Sequence, residues 1–163
     1  MDRLYAPWRM AYIKEGKGDS GCVFCLAAEE KDDRKRYVVH RGKKSFIIMN
    51  IYPYNNGHVM VTPFRHVGSL EELDDDEMLE MMQQIKWVVK VISNIMRPEG
   101  FNIGANIGKS AGAGIEDHIH FHVVPRWRGD TNFMTVISDT RVLPETIDQT
   151  YERLLNAKQS FPV

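Results

Sequence analysis

A chain of 163 residues with 43% hydrophobic and 26% charged residues has the make-up of one soluble globular domain, large enough for a core without disulfides. A net charge of −1 argues against a general electrostatic role at nucleic acid or a membrane surface, and two cysteines are too few for a disulfide framework. No apolar run has the length of a membrane span and the first residues lack the apolar core of a signal peptide. The expectation is a cytoplasmic enzyme-sized domain with neither nucleic acid nor membrane as partner.

In chain order, residues 1–15 are rich in aromatic and long apolar side chains without a clean period, and read as an arm laid over the body. Gly16 to Gly21 is a flexible loop. Cys22-Val-Phe-Cys25 leads into a short helix over 26–31, and a solvated charge run follows at 32–36. Segments 37–40 and 45–49 read as a hairpin turning at Arg41-Gly42-Lys43. Residues 52–57 carry turn chemistry, with Asn56-Gly57 suited to positive φ, and 58–62 is a third strand stopped by Pro63.

Ser69 to Glu72 fits a capping box, and Asp74 to Asp76 offer another start for the main helix. Met78, Met81, Met82, Ile85, Val88, Val89, Ile92, Ile95 and Met96 form one apolar face of that helix, which ends before Pro98. Residues 101–107 alternate, placing Asn102, Gly104 and Asn106 on one face. A glycine-rich loop, 108–114, then delivers the chain to the segment 117–127. A further strand over 133–137 and a helix over 144–157, with Ile147, Tyr151, Leu154 and Leu155 inward, end the chain. The order predicts an α+β fold, an antiparallel sheet with a long central helix and a C-terminal helix packed on it. One domain spans 1–163: arm and loop to 21, a core over 22–127, then a C-terminal strand and helix over 128–163.

Segment 117–127 holds His118, His120 and His122 at alternate positions between Ile119, Phe121 and Val123. On a strand, residues two apart share a face, so three imidazoles line one side while the apolar residues enter the core. Such a cluster can supply a nucleophile, an acid, a base or metal ligands near neutral pH. The glycine loop before it adds main-chain N–H groups able to approach an anion, and with Asn106 it points to a phosphate site. A neutral imidazole attacks phosphorus when one nitrogen is unprotonated and the other N–H is held. The middle histidine, flanked on both sides, is best placed to attack, and His122 to contact a non-bridging oxygen.

The run His118-Ile-His-Phe-His-Val-Val124 resembles the motif of the histidine-triad (HIT) family, in which His-x-His-x-His-x-x alternates with hydrophobic residues. Asn106-x-Gly108-x-x-Ala111-Gly112 is similar to the family's lead-in, and Asn50-x-x-Pro53 with Gly57-His58-Val59-Met60-Val61 to its nucleoside-side strand. Ala6-Pro-Trp-Arg-Met10, and the run from His122 through Pro125-Arg-Trp127 and Gly129-Asp130 to Asn132-Phe133, resemble the branch with bacterial diadenosine tetraphosphate phosphorylase-like proteins. The resemblance implies a HIT-like α+β fold, a homodimer, and attack on the α-phosphate of a nucleotide through a nucleotidyl-histidine. By it His120 is the nucleophile, with His122 and His118 completing the catalytic set. Asn106, Ser110, Gly112 and Gly114 hold phosphate, Asn50 binds ribose, and Ile48, Ile51 and Met60 line the base pocket. Where many members have Gly-Gln-Ser/Thr-Val, this chain has Gly112-Ala-Gly-Ile-Glu-Asp117, one residue longer and without the glutamine, leaving Ser110 or Lys109 as substitutes. The resemblance also implies a closed structural zinc site of Cys22, Cys25, His66 and His118, with no organic cofactor. His58 and His40 read as structural, His58 hydrogen-bonded behind the site.

The expected activity is that of a nucleotide hydrolase or transferase acting on a dinucleoside polyphosphate, with phosphate or water as final acceptor. The alternatives are a nucleoside phosphoramidase, a nucleotide-binding module with little turnover, and a metalloenzyme with all three histidines on one metal.

Overall fold

The structure, a computed structural model, describes residues 21–132 and 142–163. The expected N-terminal arm and the strand at 133–137 lie outside the described residues. Helix α1 (Val23–Glu29) and the short α2 (Asp33–Arg36) precede β1 (Val38–Arg41) and β2 (Ser45–Met49). Then come β3 (Val59–Pro63), α3 (Asp75–Met96), β4 (Gly100–Gly104), β5 (Phe121–Arg126) and α4 (Ile147–Ser160). The five strands form one sheet of order β1-β2-β3-β5-β4, every pair antiparallel, so the fold is α+β as expected.

Strand alternation divides the core between the two faces of the sheet. Val39, Ile47, Met49, Val59, Val61 and Val123 pack under α3 and α4. Val38, Phe46 and Ile48 face the other way and pack on Phe24 and Ala27 of α1. Both predicted helix starts are real. Ser69 and Glu72 close a capping box around a 3-10 turn, Leu70–Glu72, and Asp74 and Glu77 close a second one that opens α3. The apolar face of α3 differs from the expected stripe. Trp87 and Val91 are buried, while Met82 is 47% exposed, because α3 is covered by the sheet on one side and by α4 on another.

Two strands are shorter than predicted. β4 ends at Gly104, leaving Asn106 beyond it, and β5 begins only at Phe121. Residues 118–120 leave the ladder because their polar groups are bonded elsewhere: the Ile119 N–H donates to Val67 O at 2.7 Å, and Thr62 Oγ1 donates to Ile119 O at 2.9 Å. The alternation survives without the ladder, since Ile119 and Val123 still enter the core.

Candidate active site and metal-ligand cluster

The cross-strand register builds one wall of the site. Val38, Ile48, Met60, His122 and Gly104 are successive partners across β1, β2, β3, β5 and β4, and so share a face. Gly104 stands beside His122, and among the described residues nothing lies within 4 Å of where its Cβ would be. Two of the three expected base-pocket residues, Ile48 and Met60, thus stand in line with His122. Ile51 lies past β2 in the following turn and is 51% exposed. The Asn50 side chain accepts from the Tyr52 N–H at 2.9 Å, holding the start of that turn.

Behind the wall a chain of hydrogen bonds assigns the imidazole tautomers. The Tyr54 main-chain N–H donates to His58 Nδ1 at 3.0 Å. The remaining His58 proton is therefore on Nε2, which lies 2.9 Å from His122 Nδ1 and donates to it. His122 is left carrying its own proton on Nε2, a donor suited to a phosphate oxygen. Burial, and next the neighbouring His122 and His120, push the His58 pKa down to about 2, so it relays this arrangement as a neutral ring.

His120 is fixed by its own segment. Its Nδ1–H donates to His118 O at 2.9 Å, which puts the lone pair on Nε2. Burial lowers its pKa, so the ring is neutral at physiological pH and that lone pair is available to an electrophile. Phe24 of α1 packs on both His118 and His120, with ring centroids 5.2 and 4.8 Å away, and the His122 ring meets His120 edge-on at 4.9 Å. A neutral nucleophile with its second nitrogen anchored, beside a fixed N–H donor, can take a phosphoryl centre and stabilise charge on its oxygens.

The His118 ring turns away from this pair. Its Nε2–H donates to Pro63 O at 2.9 Å, and its Nδ1 lies 3.3 Å from Cys22 Sγ, 3.6 Å from Cys25 Sγ and 3.3 Å from His66 Nδ1. Cys25 Sγ is 3.3 Å from His66 Nδ1, and all four ligand atoms lie within 4.8 Å of one another. In a tetrahedron with zinc–sulfur bonds of about 2.3 Å and zinc–nitrogen bonds of about 2.0 Å, adjacent ligand atoms stand about 3.3–3.8 Å apart. The cluster fits such an ion. Burial, and then Cys22, push the Cys25 thiol up to about 11, an environment that a cation would reverse by binding the thiolate. His118 contributes its ring to this cluster and only its carbonyl to the nucleophile. The three imidazoles do not converge on one point, which argues against the alternative of a single metal held by His118, His120 and His122.

The glycine loop is folded on itself. The Ala111, Gly112 and Ala113 N–H groups donate to Gly108 O, Lys109 O and Gly108 O at 3.2, 2.9 and 3.3 Å. An anion reaching Gly112 therefore competes with Lys109 O. Ser110 and Gly114 are exposed, Asn106 is half-buried, and Lys109 pairs with Glu116 at 3.2 Å across the loop. A separate cavity of about 1080 Å³ between the loop after β5 and α4, lined by Asn56, Trp127, Glu145 and Arg153 among others, contains none of the histidines.

Phe24 and Tyr54 escape a reading of local pattern. Phe24 sits between two cysteines that draw attention as ligands, and Tyr54 sits in a turn recognised only by its glycine and asparagines.

Comparison with known proteins places this geometry. The family model for the HIT domain matches residues 31–129. The chain is 43% identical over 162 residues to a Mycobacterium tuberculosis protein called AP-4-A phosphorylase, covering 95% of this chain and 83% of that one. It is 30% identical over 105 residues to the adenosine 5'-monophosphoramidase of Schizosaccharomyces pombe, covering 64% of this chain and 74% of that one. A zinc-bound histidine triad family protein from Mycobacterium smegmatis superposes with a TM-score of 0.69 at 26% identity, covering 88% of this chain and 96% of that one. With the family model matched over residues 31–129, more than half of the chain, and the alternating histidines set as described, the chain belongs to the HIT family.

Proposed function

We propose that the protein is a nucleotidyl transferase of the histidine-triad type that acts on a dinucleoside polyphosphate such as diadenosine tetraphosphate. The observation that carries the reading is the pairing of an anchored, neutral His120 with the His58–His122 relay. The 43% identical relative called AP-4-A phosphorylase supports the substrate class. In the first step His120 Nε2 bonds to the α-phosphorus, the bond from that phosphorus to the bridging oxygen breaks, and the departing nucleotide keeps the electron pair. The Nδ1 proton stays on the ring, shared with His118 O, and His122 Nε2–H donates to a non-bridging oxygen. In the second step an oxygen of phosphate or water bonds to phosphorus and the nitrogen–phosphorus bond breaks. Asn106, Ser110, Gly112 and Gly114 are assigned to the phosphates, Asn50 to the ribose, and Ile48, Ile51 and Met60 to the base.

Cys22, Cys25, His66 and His118 are assigned as the ligands of a structural zinc, which supplies no chemistry to the reaction and ties α1 to the segment carrying His120. The chain is assigned as a homodimer, which the β4 edge supports, since among the described residues no strand pairs with its outer side and Ile103 and Ile107 on and beyond it are 48% and 45% exposed.

Product analysis with diadenosine tetraphosphate, with and without inorganic phosphate, tests the reading. ADP plus ATP formed only with phosphate identifies a phosphorylase, and AMP plus ATP formed without it a hydrolase. Turnover of adenosine 5'-phosphoramidate alone would replace the reading by phosphoramidase activity, and nucleotide binding without turnover by a binding module.

A further inference from the structure

We propose that Tyr54 is a positioning residue for His122, its ring serving as a fixed wall against the His122 imidazole. Tyr54 touches the relay twice, in separable ways. Its main-chain N–H holds His58 Nδ1, and its ring lies against both histidines, 4.6 Å from His58 and 5.5 Å from His122, the latter nearly parallel at 29°. Aromatic rings at these separations attract in offset-stacked and tilted arrangements. With His120 edge-on at 4.9 Å and His58 bonded at Nδ1, the stacked ring blocks one more direction in which the His122 ring could swing about its χ angles. What it fixes is the direction of the Nε2–H.

The turn that presents Tyr54 is itself braced. Asn50 holds its start, and the Asn55 side chain donates to Pro125 O at 3.0 Å and to Asp130 Oδ2 at 2.8 Å. The His58 N–H closes the turn on Asn55 O at 3.2 Å. Gly57 has φ +76, and a Cβ there would come within 2.9 Å of Met96 Sδ and 3.2 Å of Pro125 Cγ, so only glycine lets the turn seat this closely. A rigid turn carrying an aromatic ring onto a catalytic histidine is a preorganised support, whose loss affects the reaction step more than the binding of substrate.

Because the His58 bond comes from the main chain, Tyr54→Leu removes the ring and keeps the tautomer relay, while Tyr54→Phe keeps the ring and removes the hydroxyl. The role given to His122 rests on the function proposed above, so two readouts are paired. In steady-state turnover of diadenosine tetraphosphate, Tyr54→Leu is expected to lower kcat roughly two- to tenfold. KM should stay within about twofold, and Tyr54→Phe should sit near wild type. In nitrogen-15 NMR of the histidine side chains, wild type and Tyr54→Phe are expected to give one sharp Nε2–H signal set for His122, and Tyr54→Leu a broadened or shifted one. An unchanged His122 signal in Tyr54→Leu, a rise in KM without loss of kcat, or equal damage in the Phe variant overturns the proposal. Wild type without turnover of any nucleotide defeats the proposed function instead, and the NMR comparison still decides the inference.

Discussion

Replacing His58 with Gln should make the folded protein less sensitive to acid, by an amount that follows from where His58 sits. The ring is fully buried, with both nitrogens engaged, and its pKa falls to about 2 against an ordinary 6.5. The folded pKa lies below the unfolded one, so as pH falls the unfolded chain takes up the proton first. The stabilising contribution is therefore complete above about pH 6.5 and is lost progressively as pH drops from there towards 2. At pH 5 the unfolded imidazole is about 1.5 pH units below its own pKa and the folded ring is still neutral, a linkage of about 2 kcal/mol. Gln at this position retains an N–H for His122 Nδ1 and carries no titrating group. His118 and His120 are also shifted down by burial, but they and the cysteine–histidine cluster contribute equally to wild type and variant and cancel in the difference. Urea unfolding at pH 7.5 and pH 5.0 is the assay. Wild type should lose about 2 kcal/mol more than His58→Gln between the two. Equal losses, or a larger one in the variant, would refute the assignment of His58 as a neutral relay.

Other consequences are as direct. Zinc content per chain should be one in wild type, absent in Cys25→Ser and retained in His120→Asn, since the His118 ring faces the cysteines while the His120 ring does not. Metal retained by Cys25→Ser would remove the cluster from consideration. Glu80 of α3 accepts from the Lys43, Lys44 and Ser45 N–H groups and the Ser45 hydroxyl, so it clasps the β1–β2 hairpin. Glu80→Ala should cost on the order of 3 kcal/mol in a urea titration, and a cost below about 1 kcal/mol would show that solvent replaces the clasp. Gly42→Ala should damage the same contact, because its Cβ would fall 2.1 Å from Glu80 Oε1.

Period-2 alternation made the shared face of His120 and His122 legible from sequence, and the strands read over 45–49 and 58–62 correspond to β2 and β3, of which β3 is the neighbour of β5. The start of β5 was not legible, because it is decided by Val67 and Thr62, residues more than fifty positions away that bond the main chain of Ile119. The inward direction of His118 has the same origin: Pro63 O claims one nitrogen and a cluster drawn from three segments claims the other. Local pattern also misread Met82, which satisfies a helical stripe but faces away from both the sheet and α4. The glycines of 108–114 signalled a tight loop correctly, yet glycine content says nothing about which N–H groups close the loop and which face outward. Phe24 meets His118 and His120, and Tyr54 meets His122, only through tertiary packing, which no short window of sequence records.

The central claim is that His120 Nε2 becomes bonded to the α-phosphorus. Rapid quenching of the wild-type enzyme during turnover of diadenosine tetraphosphate, followed by mass spectrometry under alkaline conditions that preserve phosphoramidate bonds, tests it most directly. An adenylyl group on the peptide containing His120, formed and consumed during turnover and absent from His120→Asn, is the predicted result. Steady turnover with no adduct at any quench time, or an adduct that persists in His120→Asn, would contradict it.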